Sequence, residues 1–97
     1  KENVFIPNTF SPNGDGRNEV FYPKGTGLFR IKSMRVFNRW GEVVFEKNEF
    51  AANDPSVGWN GTFKGKTASP DVYIYTMEIL CENNTIIPVK GNVTLLR

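Results

Sequence analysis

The chain's 97 residues carry twelve Lys or Arg against ten Asp or Glu, one cysteine and no histidine. That length suits one core, burying roughly 65% of the surface of the unfolded chain; the lone Cys81 and the missing histidine exclude an internal disulfide, Cys/His zinc, Ser-His-Asp chemistry and Cys-His nucleophiles. The net charge of +2 is spread over both signs without a basic run, so no nucleic-acid-binding face is expected.

In chain order, Val4-Phe5-Ile6 predicts a first short strand. Pro7 to Phe21 follows as a loop, rich in Pro, Gly and short oxygen-bearing side chains, and Val20-Phe21-Tyr22 predicts a second strand. Ile31 to Asn38 alternates, with Met34 and Val36 on one face and Arg35 and Phe37 on the other. Arg39-Trp40-Gly41-Glu42 then makes a turn and Val43-Val44-Phe45-Glu46 returns, an antiparallel hairpin. Residues 48–58 are polar and predict a loop. Trp59-Asn60-Gly61-Thr62 starts a short strand before the Lys64-Gly65-Lys66 turn.

The clearest strand is Val72 to Leu80, with Tyr73, Tyr75, Met77 and Ile79 on one face and Val72, Ile74, Thr76 and Glu78 on the other. Cys81 to Thr85 turns, Ile86-Ile87-Pro88-Val89 begins the return, and Val93-Thr94-Leu95-Leu96 closes the chain. Pro88 and Gly91 make this last segment an edge strand, a bulged strand or two short strands. No window holds a 3.6-residue period, so no helix is expected. About seven short strands predict an all-β, immunoglobulin-like antiparallel β-sandwich.

Three groups of residues invite chemical readings. In the opening loop, Ser11, Asn13 and Asp15 precede Gly16 at the spacing of an EF-hand-like calcium loop, and Asn18 and Glu19 add oxygens. Position 12 of such a loop is Tyr22 rather than Glu, so an Asx-turn satisfying its own backbone stands beside the calcium reading. Trp40, Trp59, Tyr73 and Tyr75 are of the type that stacks on sugar rings. In so small a sandwich, however, both tryptophans and one tyrosine face are expected to fill the core. Carboxylate pairs can be drawn from Asp54, Asp71 and the seven glutamates, but no spacing singles out two, and no enzyme is expected. Cys81, at a strand end, reads as an inert small hydrophobe.

No apolar stretch approaches the ~20 residues that span a bilayer. The chain opens at Lys1 rather than Met, as a piece of a longer polypeptide would.

Taken in order, several segments resemble one family. They are Ile6-Pro7-Asn8-Thr9-Phe10-Ser11-Pro12-Asn13-Gly14-Asp15-Gly16 with Val20-Phe21, then Val36-Phe37-Asn38-Arg39-Trp40-Gly41-Glu42-Val43-Val44-Phe45. Trp59-Asn60-Gly61-Thr62, Gly65-Lys66, Pro70-Asp71-Val72-Tyr73-Ile74-Tyr75 and Lys90 to Arg97 complete the set. The ordered series is similar to the gliding motility-associated C-terminal domain of Bacteroidetes secreted proteins, the type B sorting domain of the type IX secretion system. Three positions depart from that pattern: Glu19 where Asp is usual, Asn60 where Asp commonly follows Trp59, and Asp71 where Gly usually precedes Val-Tyr.

The resemblance implies one domain, residues 1–97, at the C-terminus of a larger exported protein. Its partner would be the outer-membrane translocation and attachment machinery, and its destination the cell surface or medium, reached through the periplasm. It implies recognition through shape and an exposed strand or patch, with no catalysis and no required cofactor. The terminal strand, with Lys90, Gly91, Leu95, Leu96 and Arg97, pairs with a receptor strand, completes the sandwich, or does both. A monomer is expected, with calcium as a structural ion. A calcium-dependent or carbohydrate-binding adhesion module is the alternative.

Overall fold

Alternation of apolar and polar side chains, interrupted every few residues by Gly, Pro or Asn, gives strands joined by turns and loops, with almost no helix. The computed structural model describes residues 3–14, 16, 18–27 and 29–97. Its strands are β1 (Asn3–Phe5), β2 (Thr9–Phe10), β3 (Lys24–Thr26), β4 (Phe29–Phe37), β5 (Val43–Phe50), β6 (Thr62–Phe63), β7 (Lys66–Thr67), β8 (Asp71–Cys81) and β9 (Ile86–Leu95), with a 3₁₀ turn at Pro55–Val57.

Five strands form the main sheet in the order β2-β9-β8-β4-β5. Its pairings are antiparallel except the short β2–β9 contact, which is parallel. Facing it lie the β1–β3 ribbon, the β6–β7 hairpin and an isolated bridge between Phe21 and Trp59. The result is the all-β sandwich expected from the sequence, with one layer regular and the other assembled from short pieces.

The β8 periodicity is as read: Tyr73, Tyr75, Met77, Ile79 and Cys81 are buried and the residues between them face outward. On β4 the buried set is Ile31, Met34 and Val36, a spacing of three and then two. A register shift between Ile31 and Ser33 absorbs the extra residue and keeps all three on the core side.

Phe10, Phe21 and Trp59 meet Tyr73 and Tyr75 in the middle of the sandwich. Ring centroids lie 5.0 Å apart for Trp59–Tyr73, 5.3 Å for Phe10–Trp59 and 5.4 Å for Phe21–Tyr75, in tilted or edge-on contacts. Two of the polar tips are hydrogen-bonded within the protein: Trp59 Nε1 donates to the Thr62 carbonyl at 2.9 Å and the Tyr73 hydroxyl to the Ser69 carbonyl at 2.7 Å.

Three expectations need correction and a fourth is narrowed. Val20–Tyr22 is not a strand; Phe21 makes only its bridge to Trp59, and β3, beyond Pro23, pairs with β1 instead. The stretch from Asn48 to Phe50 continues β5, because Phe50 is buried opposite Ile31. Its polar residues read as loop because an edge strand exposes them. Of the forms left open for the last strand, the edge strand holds over its first part, and the strand is continuous from Ile86 to Leu95 rather than split in two. Thr94 and Leu96 donate their N–H groups to Asn8 and Phe10, so residues of the same parity, Pro88 among them, point their amide positions away from β8. Pro88 therefore removes no ladder bond. Finally, Trp40 is 79% exposed whereas Trp59 is 1% exposed, so only one tryptophan fills the core.

Burial pushes the Tyr73 and Tyr75 hydroxyls above the ordinary tyrosine range, and Asp71 adds to the effect at Tyr73. A raised folded-state pKa means the unfolded chain loses its tyrosine protons first. Stability is then full below about pH 10 and falls as pH rises above it. Melting temperatures across pH 8 to 11 should show this decline, and Tyr73→Phe should make it shallower; a flat profile would contradict it.

Candidate recognition surface

The opening loop is a tight backbone turn whose polar groups are largely used internally. Gly14 and Gly16 both adopt positive φ, near +84° and +80°, which glycine reaches without a Cβ clash. Ser11 N–H donates to the Asn18 carbonyl at 2.7 Å and closes the loop at its neck. Glu19 folds back into it: one carboxylate oxygen accepts the Gly14 N–H at 3.0 Å and the other the Gly16 N–H at 2.8 Å. Of the expected ligand set, Asp15 lies outside the described residues. Ser11, Asn13, Asn18 and Glu19 are placed around this turn. Among the described residues no three Asp, Glu, Cys or His side chains gather in one place.

The other two departures from the family pattern also carry hydrogen bonds. Asn60 accepts from the Thr62 N–H at 3.2 Å and the Thr62 hydroxyl at 2.7 Å, an Asx-turn that needs no charge. Asp71 meets Arg39 through both carboxylate oxygens, at 3.0 and 3.3 Å, and ties β8 to the β4–β5 turn.

The C-terminal segment is locked at its end. Leu95 is buried and Gly91 lies under the Tyr75 ring, where an added Cβ would stand 2.5 Å from the hydroxyl. The backbone at Thr94–Leu96 is already paired with the opening segment through Thr94 N–H to Asn8 and Leu96 N–H to Phe10. Arg97 then forks across three carbonyls: Pro12 at 3.0 Å, Gly61 at 3.1 Å and Ala68 at 2.9 Å. Here the segment completes the sandwich. Of the five residues considered for partner contact, Lys90 and Leu96 present side chains to solvent, while the exposed Arg97 is tied to its carbonyls. The open edge of β9 is its first part, where Pro88 supplies no outward N–H.

The remaining exposed landmark is the β4–β5 turn. Asn38 organises it: its side-chain carbonyl accepts the N–H groups of Trp40 and Glu42 at 3.0 Å each, and its amide donates to the Glu42 carboxylate at 2.8 Å. Gly41, at φ +80°, lets the chain reverse. Of the four aromatics considered for sugar stacking, Trp59, Tyr73 and Tyr75 are buried and Trp40 is presented. Sequence reasoning did not single out Asn38, and it named Arg97 only as a partner-contact candidate, not as a clamp on three carbonyls. The first was findable, since Asn and Glu flanking a Gly-containing turn is a capping pattern. The second carried no local signal, because its partners lie up to 85 positions away.

These parts define a β-sandwich module whose distinctive side chains fix a shape and present it. Among solved structures, the chain is similar to CopC from Methylosinus trichosporium OB3b. The TM-score is 0.61 with 12% identity, over 96% of this chain and 88% of that one, a likeness of fold. None of the curated proteins compared with the chain matches it. The family model of the CHU_C type IX secretion signal domain matches residues 4–95, and the chain belongs to that family. It is thus a sorting-signal domain of proteins exported through the type IX system to the cell surface or medium. No described helix is long and apolar enough to cross a membrane.

The Arg97 fork is testable by denaturation in urea. Arg97→Ala should cost roughly 1–2 kcal/mol, since hydrogen bonds from a charged donor are worth more than neutral ones but these are partly open to water. Arg97→Lys should recover only part, because an ammonium cannot span three carbonyls in a plane. An unchanged midpoint in Arg97→Ala would show that the clamp holds nothing.

Proposed function

We propose that the domain is the folded address at the C-terminal end of a larger protein, and that it directs this cargo across the outer membrane through the type IX translocation machinery. The family match over residues 4–95 carries the reading. Its geometry supports recognition of shape: a rigid turn holds Trp40 outward, and Lys90 and Leu96 flank a latched terminus. A signal of this kind acts by being bound, and we assign it no catalytic step. The domain acts as a monomer in this reading. Both open sheet edges are blunted, β9 by Pro88 and β5 by Glu46, Lys47 and the positive φ of Glu49.

Deleting Lys90–Arg97 from a full-length cargo should leave that cargo in the periplasm. Fractionation and surface labelling would measure it, and normal surface delivery would sink the proposal.

Calcium belongs to this reading only as a structural ion in the 11–19 loop. Both Glu19 oxygens already accept backbone N–H groups there, so an ion must share or displace those bonds. If calcium binds, the melting temperature rises in excess calcium relative to chelator and Asp15→Ala removes the rise. Coincident curves would leave the Glu19 hydrogen bonds to brace the loop without an ion.

A further inference from the structure

A groove of about 590 Å³ opens at one end of the sandwich, between the β4–β5 turn and the β6–β7 hairpin. The side chains that matter in it are Arg39, Trp40, Phe63, Lys64, Lys66 and Asp71. We propose that this groove binds an extended acidic segment of the translocation machinery, with an apolar residue of that segment seated on Trp40. The proposal rests on the sorting role and names where and by what chemistry the address is read.

Two observations fix the chemistry. The first is the presentation of Trp40. Its ring is 79% exposed, yet its backbone is held by the Asn38 cap and Arg39 lies over the ring, 5.5 Å from the centroid. An indole left in water forgoes the burial that Trp59 obtains, while a fixed one loses little freedom when a partner covers it. Trp and Arg together are the residue types that dominate binding energy at protein interfaces.

The second is charge. The groove's lining carries three cations, Arg39, Lys64 and Lys66, against one carboxylate, Asp71. Asp71 is already engaged by Arg39 at 3.0 Å. Lys64 sits over the Phe63 ring at 5.1 Å, and among the described residues neither lysine forms an ion pair with a carboxylate. Two uncompensated ammonium groups beside an aromatic platform complement carboxylates flanking an apolar side chain. Such attraction steers encounter and weakens with salt.

The test uses the full-length cargo in secreting cells. Trp40→Ala, and Lys64→Glu combined with Lys66→Glu, should each cut surface delivery roughly tenfold or more, the loss expected of a central aromatic or of reversed charge. All these positions are at least partly open to solvent, so the purified variants should melt with the parent protein. Lys64→Arg with Lys66→Arg should deliver normally. A photo-crosslinking side chain at Ser69, which lines the groove, should attach to an Asp- and Glu-bearing peptide of the machinery, identified by mass spectrometry.

Normal delivery of folded Trp40→Ala, failure of the arginine pair to deliver, or a crosslink to a glycan or a segment without acidic residues would overturn the groove. If Trp40→Ala melts early, the lysine pairs and the crosslink decide. The Lys90–Arg97 deletion separates the two readings. A blocked deletion with freely delivered groove variants rejects only the groove; a freely delivered deletion rejects the sorting role itself.

Discussion

The structure depends on the joint between Trp59 and the aromatic face of β8. One layer of this sandwich is a proper sheet; the other has no described strand longer than three residues and cannot hold itself together by ladder hydrogen bonds. Trp59 supplies what the ladder does not. Its ring packs edge-on against Tyr73 and tilted against Phe10, and its indole N–H is tied to Thr62. Its backbone exchanges two hydrogen bonds with Phe21, at 2.8 and 2.9 Å. Phe21 in turn rests on Tyr75. Gly58 lets these backbones approach, since a Cβ there would stand 2.6 Å from the Phe21 carbonyl oxygen.

Around that joint the two ends of the chain close on each other. β2 lies parallel to the end of β9, and Arg97 reaches from the last position to Pro12, Gly61 and Ala68. The segments that resemble the secretion-signal family are far apart in sequence but share this neighbourhood: Phe10 and Pro12, Trp59 and Gly61, Leu95 and Arg97. The pattern along the chain is in good part a list of residues that touch. This gives a physical reason for a signal that spans a whole domain, since no short piece could hold the shape alone.

The outer surface follows a different logic. The open edges of the sheet are blunted, and Arg35–Glu46 occupies an exposed site where an ion pair contributes little stability, while Arg39–Asp71 is only partly exposed. Trp40 stands apart from this. It is large, apolar and exposed, on a turn rigid enough to keep it so. Its cost makes sense in a domain whose work is to be bound.

Much of this was legible in the chain. Alternation on β8 fixed which side chains face the core, the Gly and Asn positions placed the hairpin turns, and the ordered motifs pointed to the family. Composition alone excluded histidine and disulfide chemistry. Local pattern could not separate Trp40 from Trp59, because both are tryptophans next to a turn and burial depends on what the rest of the chain brings over them. It could not extend β5 to Phe50, since the solvent side of an edge strand has the composition of a loop, nor choose among the edge, bulged and split forms that Pro88 and Gly91 left open for the last strand. The partners of Arg97 and the placing of Lys64, Lys66 and Trp40 around one groove arise from the meeting of distant segments. Periodicity, turns and the supply of aromatic rings were written into the order of residues. Which ring was buried and which was shown came only with assembly, because burial is a property of the packed layers and not of any one strand.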